Sequence, residues 1–383
     1  MRIYLGRHSR GKDFSGVINR AIIISALLAL AGLSHPAVAA QDTEATHSFK
    51  VGMAFRRFVP KQPYNWRGAE THALNTVVWY PAEPSALEKP VEIPGLNIFK
   101  LGSAAQEAKV VAKPAKFPLI VISHGTGGSG LSMAWLGEAL AAHGYITAAV
   151  NHPGNNATEP YTVEGFSLWW ERARDLSEVI SGMLADANFG SHIDPKRIGA
   201  AGFSLGGYTM IEIAGGITDV TGFVRFCDST NADSICTSPP QFPTLFEAFR
   251  KLIQEHPEVL QHASDSYRDA RVRSVFAMAP ALGPAFPASQ LKKISVSVEI
   301  VAGESDQNVP IASSAKYFAA NIPGAKLHIF PGNVAHYVFL DSCTTTGRMT
   351  VSGICIDATG VDRDVIHAKT VQLALEFFRS TLR

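Results

Sequence analysis

Continuous apolar runs that end in polar residues and glycine constrain the fold of this chain more than any other feature. "FPLIVISHG" (117–125), "YITAAVNHPG" (145–154) and "RIGAAGFS" (197–204) are such runs, and helical patterns separate them. A strand that is apolar at successive positions is buried on both faces, as strands of a parallel sheet are. Strands that alternate with helices make right-handed crossovers. The sequence therefore predicts an α/β fold with a mostly parallel central sheet flanked by helices.

Two further regions frame this alternation. Residues 48–58 and 72–80 have the β-branched and aromatic composition of strands, whereas 81–116 is rich in Pro, Ala and Lys and is predicted to be a surface excursion. The alternation stops between about 217 and 272 and then resumes, ending in a helix near 362–382. Long insertions between core elements often carry function, so we predict a lid or cap over a pocket; a peripheral decoration is the alternative.

The first forty residues have the order of a secretory signal. A basic leader precedes "AIIISALLALAGL" (21–33), and the small-residue stretch "AVAAQ" follows. A run of 13 residues is too short for a membrane span, which needs about 20. We therefore predict a signal peptide over 1–40, cleaved after Ala39 or Ala40. The mature protein would be one domain over 41–383, secreted or periplasmic, with no permanent membrane span.

Composition and cysteine usage limit the partners and cofactors. The net charge is only +1 over 383 residues, which does not favour a basic face for nucleic acid. The four cysteines form two local pairs in the sequence, nine and twelve residues apart: Cys227 with Cys236, and Cys343 with Cys355. Four cysteines allow three pairings, of which we favour the local one in an oxidising compartment. The spacing does not match a zinc motif, so no metal is expected.

The pentapeptide at 202–206, "GFSLG", matches G-x-S-x-G. An apolar strand precedes it and a helical pattern follows, which is the setting of a nucleophile on a tight strand-to-helix turn. Glycines are needed there because side chains would collide where the strand and the helix cross. The sequence predicts that Ser204 is a nucleophile; a serine in an ordinary glycine-rich loop is the alternative.

A serine nucleophile needs a base, and the base needs a carboxylate to orient it. In this type of site the acid and then the histidine follow the serine along the chain. Asp306 comes just after the apolar run "VEIVAG", and His336 comes just after "LHIF". The carboxyl ends of parallel strands gather at one edge of the sheet, so we predict that Ser204, Asp306 and His336 meet there. Weaker candidates for the acid are Asp228, Glu304 and Asp341.

A developing oxyanion needs hydrogen-bond donors already in place. The backbone N–H of Leu205, next to the nucleophile, is one predicted donor. The loop "HGTGGSG" (124–130) should supply the second, with Thr126 as first choice and Gly125 as second. The alternative is that this loop is only a flexible turn.

Three more residues are predicted to border the substrate. His152 ends the strand in "VNHPGNN" and is expected to line the same face as the nucleophile. Trp169 and Trp170 are adjacent and cannot both face one side of a helix. One is expected in the core and the other in the acyl or alcohol pocket; burial of both in the core is the alternative.

The segments "GFSLGGYT", "SHGTGGSG", "NHPGNN" and "AHYVFL", together with Asp306, resemble the α/β-hydrolase superfamily. They are most similar to exported bacterial proteins called predicted dienelactone hydrolases, relatives of the secreted platelet-activating-factor acetylhydrolases. The resemblance covers most of residues 48–383. It implies an α/β-hydrolase fold and hydrolysis of carboxylic esters by a Ser-His-Asp triad, with no cofactor.

Two departures limit this resemblance. Dienelactone hydrolases proper have a cysteine nucleophile, whereas position 204 is serine. In the acetylhydrolases the acid follows an earlier strand, equivalent here to "SVFAMAPALGP" (274–284), which has no carboxylate. The acid role therefore passes to Asp306.

The sequence as a whole predicts a secreted or periplasmic serine esterase. Its substrate would be a small-molecule or lipid-like ester, cleaved through an acyl-enzyme intermediate. A peptidase or amidase of the same fold is one alternative, and a catalytically silent hydrolase fold used for binding is another. The sequence leaves the acyl and alcohol groups of the ester open.

Overall fold

The computed structural model describes residues 48–93 and 97–383. The predicted signal peptide over 1–40 lies outside these ranges and stays a prediction.

One sheet organises the described chain. Its strands are β1 (Lys50–Phe58), β2 (Leu74–Ala82), β3 (Lys89–Pro90), β4 (Ser103–Gln106), β5 (Phe117–Ser123), β6 (Ile146–Val150), β7 (Ile193–Phe203), β8 (Val272–Met278), β9 (Ser297–Gly303) and β10 (Lys326–Phe330). The order across the sheet is β10-β9-β8-β7-β5-β6-β2-β1-β4-β3. Strands β5 to β10 are mutually parallel where they pair, and β2 runs antiparallel to both of its neighbours. The predicted α/β fold with a mostly parallel sheet is confirmed.

Helices cover both faces of this sheet. They are α1 (Ala134–Ala142), α2 (Val163–Ser167), α3 (Glu171–Ala185), α4 (Leu205–Ile213), α5 (Val220–Cys227), α6 (Leu245–Glu255), α7 (Ala288–Leu291), α8 (Ala315–Asn321), α9 (Thr345–Thr350), α10 (Ser352–Cys355) and α11 (Arg363–Thr381). Helices α3, α4 and α8 pack in one hydrophobic core, and α1 and α11 pack in a second core.

Strand β5 shows why the apolar runs of the sequence are continuous. Every residue of β5 is buried. Leu119 and Val121 belong to the core with α3 and α4, whereas Ile120 and Ile122 belong to the core with α1 and α11. Successive side chains of a strand point to opposite faces, so a strand with a helix layer on each side must be apolar throughout.

The predicted surface excursion over 81–116 is only partly correct. Two short strands lie within it, and β4 pairs in parallel with β1 and so extends the sheet. Ala104 and Ala105 are buried. The expectation of surface chain is wrong for Ser103–Gln106, because small residues can pack closely beside a strand without the apolar bulk that makes a run recognisable in sequence.

The segment 217–272 contains α5, a 3₁₀ helix (Ser234–Cys236), α6 and a further 3₁₀ turn (Pro257–Leu260). It connects α4 to β8 and therefore starts and ends next to two central strands. Helix α6 buries Phe249 and Leu252 and exposes Glu247 and Lys251. Its amphipathic pattern is explained by packing of one face on the rest of the protein.

Both local cysteine pairs form disulfides. Cys227–Cys236 joins α5 to the 3₁₀ helix of the insertion, with the Cα atoms 5.4 Å apart. Cys343–Cys355 encloses α9 and links it to α10, with a Cα separation of 5.5 Å. Within residues 48–93 and 97–383, no helix has the length and apolar character required to cross a membrane.

Replacing Cys343 and Cys355 by serine should destabilise the protein. A cross-link that closes a loop of this size, with a sequence separation of 12 between its ends, removes unfolded-state entropy worth about 3 kcal/mol. Urea unfolding of the double variant should show a free energy of unfolding lower by about that amount. The Cys227→Ser/Cys236→Ser variant, which opens a loop of similar size, is the matched comparison. Equal stability of the 343/355 variant and the oxidised wild type would contradict the prediction.

Candidate functional site

Ser204 lies on the turn between β7 and α4, with a φ of 57° and a ψ of −116°. This region is strained for a residue with a side chain. The flanking glycines make the turn possible: a Cβ at Gly202 would overlap the carbonyl of Gly206, and a Cβ at Gly206 would overlap the carbonyl of Ser123. The turn thus presents Ser204 at the carboxyl edge of the sheet, where β5 also ends.

Three predicted side chains meet at this turn. His336 Nε2 lies 2.9 Å from Ser204 Oγ, and His336 Nδ1 lies 2.7 Å from Asp306 Oδ2. Ser204, His336 and Asp306 are 8%, 3% and 5% exposed. Since a carboxylate only accepts hydrogen bonds, Nδ1 carries the proton, and the lone pair of Nε2 faces the serine hydroxyl.

Asp306 also organises its own loop. Its second oxygen, Oδ1, accepts the backbone N–H groups of Asn308 at 3.0 Å and Val309 at 2.8 Å. Asp306 therefore holds the turn that follows it and contacts His336 at the same time. Fixing Oδ1 in this way aims Oδ2 at His336.

The rival carboxylates point elsewhere. Asp341 accepts the backbone N–H groups at the start of α1, and burial raises the pKa of its carboxyl to about 8. Asp228 is exposed and forms an ion pair with Arg250 at 2.6 Å. Glu304 accepts the backbone N–H of Gly332 at 2.6 Å. Asp306 is the carboxylate that the structure brings to His336.

The loop after β5 borders the serine. A Cβ at Gly125 would lie 3.2 Å from Ser204 Cβ. The carbonyl of Gly125 accepts from His124 Nδ1 at 2.7 Å and from the N–H of Gly128 at 3.2 Å. A trans peptide directs its C=O and N–H to opposite sides, so the Thr126 N–H faces away from those partners. In the described chain neither this N–H nor that of Leu205 has an acceptor.

Behind this loop lies a buried polar network. His152 Nδ1 is 2.6 Å from Asp175 Oδ2, and His152 Nε2 is 2.9 Å from Ser123 Oγ. Burial, followed by the charge of Arg172, lowers the pKa of His152 well below 6.5, so its ring is neutral. His152 is 0% exposed. The expectation that it lines the same face as the nucleophile is wrong: it points inward, because Asp175 and Ser123 satisfy both of its ring nitrogens.

The network reaches the loop through His124. The backbone N–H of His152 donates to His124 Nε2 at 3.2 Å, which leaves His124 Nδ1 as the donor to Gly125. Arg172 donates to the carbonyl of His124 and, at 3.3 Å, to Ser123 Oγ. Arg67 pairs with Asp175 at 2.8 Å. Hydrogen bonds therefore run without a break from α3 to the Gly125 carbonyl.

Sequence reasoning missed Arg172 and Asp175. The signal was present in "WWERARDL", where two charged residues three positions apart share a helix face with apolar neighbours. Charged residues on a buried face must be paired. That requirement could have identified them as partners of the strand-end histidines.

A cavity of about 720 Å³ opens beside Ser204, His336, Thr126 and Leu205. Its volume is typical of a small-molecule site. Trp169 lines it, but Trp170 is 1% exposed and packs in the core with α3 and α4. Of the two tryptophans, only Trp169 can contact a substrate. In the part of the chain that the structure covers, no group of three or more His, Cys, Asp or Glu side chains could hold a metal ion.

The 217–272 segment forms one wall of this cavity and contacts all three loops of the site. The ring of Phe242 packs against Gly127. The Ser234 hydroxyl donates to the Gln307 carbonyl at 2.6 Å, and the Tyr337 hydroxyl donates to Gln241 Oε1 at 3.2 Å. Residues 127, 307 and 337 belong to the loops that follow β5, β9 and β10. The insertion therefore lies over the carboxyl edge of the sheet, next to Ser204.

A model of the alpha/beta hydrolase family matches residues 120–344, more than half of the chain. This protein belongs to the α/β-hydrolase family. The matched range contains Ser204, Asp306 and His336, and it excludes β1 to β4 and all of α11.

Partial similarities connect it to named relatives. It is 34% identical over 83 residues to Lipase 1 of Moraxella sp. (strain TA144), covering 22% of this chain and 23% of the relative. It is 33% identical over 97 residues to Cutinase est1 of Thermobifida alba, covering 25% and 29%. A cutinase of Thermobifida fusca (strain YX) matches at 25% over 155 residues, covering 38% and 48%. The chain thus spans less than half the length of these relatives.

A solved structure shares the fold over nearly the whole chain. A ferulic acid esterase from Streptomyces cinnamoneus superposes with a TM-score of 0.60, covering 90% of this chain and 93% of that one at 20% sequence identity. The predicted α/β-hydrolase fold is confirmed, whereas the finer resemblance to dienelactone-hydrolase-like proteins stays a prediction.

Glu212 on α4 is a buried acid that the site does not use. It is fully buried and accepts from Thr218 Oγ1 at 2.6 Å, and burial raises its pKa to about 8. A carboxyl with a raised folded-state pKa stabilises the fold below its unfolded pKa, near 4.3, and loses that contribution as pH rises toward 8.

Glu212→Gln should therefore change how stability depends on pH. Between pH 4.5 and 8 the wild type should lose up to about 1.4 kcal/mol per pH unit relative to the variant. Urea unfolding of both proteins at pH 5, 6.5 and 8 measures this difference. Parallel pH profiles for the two proteins would contradict it.

Proposed function

We propose that this protein is a serine hydrolase of carboxylic esters. The observation that carries the proposal is the hydrogen-bonded series Ser204–His336–Asp306, at 2.9 and 2.7 Å, on the wall of a substrate-sized cavity. Two unpartnered backbone N–H groups beside the serine support it, as does partial similarity to proteins named lipase and cutinase.

The first half of the reaction acylates the enzyme. Ser204 Oγ attacks the ester carbonyl carbon while its proton passes to His336 Nε2. Asp306 holds Nδ1–H and stabilises the imidazolium that forms. The tetrahedral intermediate then collapses: the bond to the alcohol oxygen breaks, and His336 Nε2 gives the proton to that leaving alcohol. The product is an ester of Ser204.

The second half releases the acid. A water molecule attacks the acyl-enzyme carbonyl, and His336 Nε2 accepts its proton. Collapse of the second intermediate returns that proton to Ser204 Oγ and frees the carboxylic acid. The net reaction consumes one ester and one water and yields one acid and one alcohol.

The oxyanion of both intermediates would accept the N–H groups of Leu205 and Thr126. Leu205 is the first residue of α4, so the positive end of the helix dipole adds to the same stabilisation. The network of His124, His152 and Asp175 would keep the Gly125–Thr126 peptide oriented before substrate arrives.

Export and a cap belong to the same proposal. The two disulfides support an oxidising compartment, so we propose a secreted or periplasmic protein whose mature domain covers 41–383. The 217–272 segment would be the cap of this domain, because its residues line the cavity and contact the three loops of the site.

Ser204→Ala should lower kcat/KM for p-nitrophenyl butyrate by at least about 10⁴-fold, because the nucleophile is lost. Ser181→Ala, on the exposed side of α3, is the matched control and should retain wild-type activity. A fluorophosphonate probe should label the wild type and the control, but not the Ser204 variant. Retained activity or labelling in Ser204→Ala would refute the proposal.

His124→Leu should lower kcat by about 10- to 100-fold. Deleting an oxyanion donor lowers kcat by about 10²- to 10³-fold, and a donor that is only misoriented should lower it by less. KM should change far less. The acid limb of the pH–rate profile should stay in place, since Ser204, His336 and Asp306 are intact. A general loss of folding would instead lower the active fraction and leave kcat per labelled serine unchanged.

Two further variants control this experiment. His124→Asn keeps a donor near the position of Nδ1 and should recover part of the lost kcat. His143→Leu removes another histidine that bonds a carbonyl, that of Ala139 at 2.7 Å, at the end of α1 that precedes β6. It should leave kcat unchanged. Equal activity of His124→Leu and wild type would show that the network does not position the oxyanion loop.

A further inference from the structure

We infer that the cavity beside Ser204 accepts uncharged esters with a large apolar part and rejects esters whose acyl chain carries a free carboxylate. The inference rests on the proposed ester hydrolysis and adds the substrate class. It comes from what lines the cavity, from how two arginines beside lining residues are held, and from how the aromatic side chains are arranged.

No lysine, arginine, aspartate or glutamate is among the residues of the described chain that line the cavity. The ionisable side chains there are His336, Tyr161 and Tyr337. His336 is held by Ser204 and Asp306. Burial raises the pKa of both tyrosines, so they are neutral at physiological pH. The wall therefore offers no permanent charge to pair with a carboxylate.

Two arginines next to residues of this wall are committed to other groups. Arg172 lies behind the oxyanion loop and donates to the His124 carbonyl and to Ser123. Arg250 stacks on the ring of Phe246 at 4.9 Å and pairs with Asp228 at 2.6 Å. Turning either cation toward a substrate would break these interactions, and for Arg172 it would disturb the oxyanion loop itself.

Aromatic rings from the turn before α3 and from the 217–272 segment form one apolar region of the cavity. The ring of Trp169 lies 4.8 Å from that of Phe249 and 5.3 Å from that of Phe223. Phe246 is 6.1 Å from Phe249 and 6.3 Å from Phe223. Such ring clusters bind apolar and aromatic groups through area and edge-to-face contact. They have no polar atom for a carboxylate except the indole N–H.

A second apolar region lies elsewhere on the same cavity. Its side chains come from the chain before β4, from the turn after β10 and from α10: Ile98, Phe99, Leu101, Leu340 and Ile354. A carboxylate moved into either region would lose its hydration without gaining an ion pair. A tenfold change in rate corresponds to 1.4 kcal/mol. Because burying an unpaired ion costs more than twice that amount, we expect kcat/KM for the charged ester to be lower by more than two powers of ten.

Two esters with the same reacting group test the inference on the full mature chain. One is p-nitrophenyl methyl adipate, which is neutral, and the other is p-nitrophenyl hydrogen adipate, which carries a carboxylate at the far end of the acyl chain. Release of nitrophenolate at pH 7.5 gives kcat/KM for each. The neutral ester should be preferred by at least about 100-fold. The ratio should persist between low and high salt, because desolvation is not screened as long-range repulsion is.

A designed cation should reverse part of this preference. Leu245 lines the cavity on the 217–272 segment and is half-buried, so an arginine there can reach the cavity and stay hydrated. Leu245→Arg should raise kcat/KM for the hydrogen adipate, relative to the neutral ester, by at least about 10-fold. Leu87→Arg makes the same change at a position that is 79% exposed. It should leave the ratio unchanged.

The outcomes separate the two proposals. A wild-type preference below about threefold overturns the substrate class while leaving ester hydrolysis intact, and so does an equal response of Leu245→Arg and Leu87→Arg. Failure to hydrolyse either ester, together with no fluorophosphonate labelling of Ser204, overturns the proposed function and the inference with it. The comparison of the two esters on the wild type holds even where the Leu245 variant does not fold.

Discussion

The site depends on how the chain holds Ser204 in a strained backbone conformation. Two hydrogen bonds from one neighbouring segment do this: the N–H of Ser204 donates to the carbonyl of Met278 at 2.9 Å, and the N–H of Ala281 donates to the carbonyl of Ser204 at 3.1 Å. Pro280 fills the space between them, since a Cβ at Gly207 would lie 2.6 Å from its Cα. The stretch after β8, where the resemblance would place an acid, holds the turn at Ser204. A carboxylate there would have to displace this packing, which gives a physical reason why Asp306 after β9 contacts His336 instead.

Charged side chains are buried in the scaffold behind the cavity, and none of the described residues that line the cavity is a Lys, Arg, Asp or Glu. Arg67, Arg172 and Asp175 are buried behind the loop 124–130, where each has hydrogen-bond partners. Burying such groups is costly unless they are hydrogen-bonded or paired, but a hydrogen-bonded set fixes the relative positions of α3 and the ends of β5 and β6. The cavity lies in front of the same loop. The loop thus separates a charged layer that sets its geometry from a cavity in which, under the proposed function, its N–H groups would act at low dielectric.

The part of the site that could be predicted from the sequence follows from one rule: the carboxyl ends of parallel strands lie at the same edge of the sheet. Ser204, Asp306 and His336 each follow an apolar run that became a strand of the parallel sheet, and parallel strands end at one edge, so their meeting follows from topology. The same rule placed His152 at that edge, but it does not say which way a side chain turns. Asp175, 23 residues further along the chain, decides that. The strand Ser103–Gln106 was missed because its pairing depends on β1, which is distant in sequence, and nothing local marks it.

Under the proposed function, the 217–272 segment would link substrate choice to catalysis. Its rings form much of the apolar part of the cavity, and Phe242 of the same segment packs on Gly127, whose carbonyl also accepts the Tyr161 hydroxyl at 3.0 Å. Gly127 is two residues from the loop glycine beside Ser204. A substitution that moves Phe242 would therefore also move the loop that holds Thr126. Substrate preference and the position of the proposed oxyanion donor would then depend on the same contacts, so a change in substrate preference made on this wall should change kcat as well as KM.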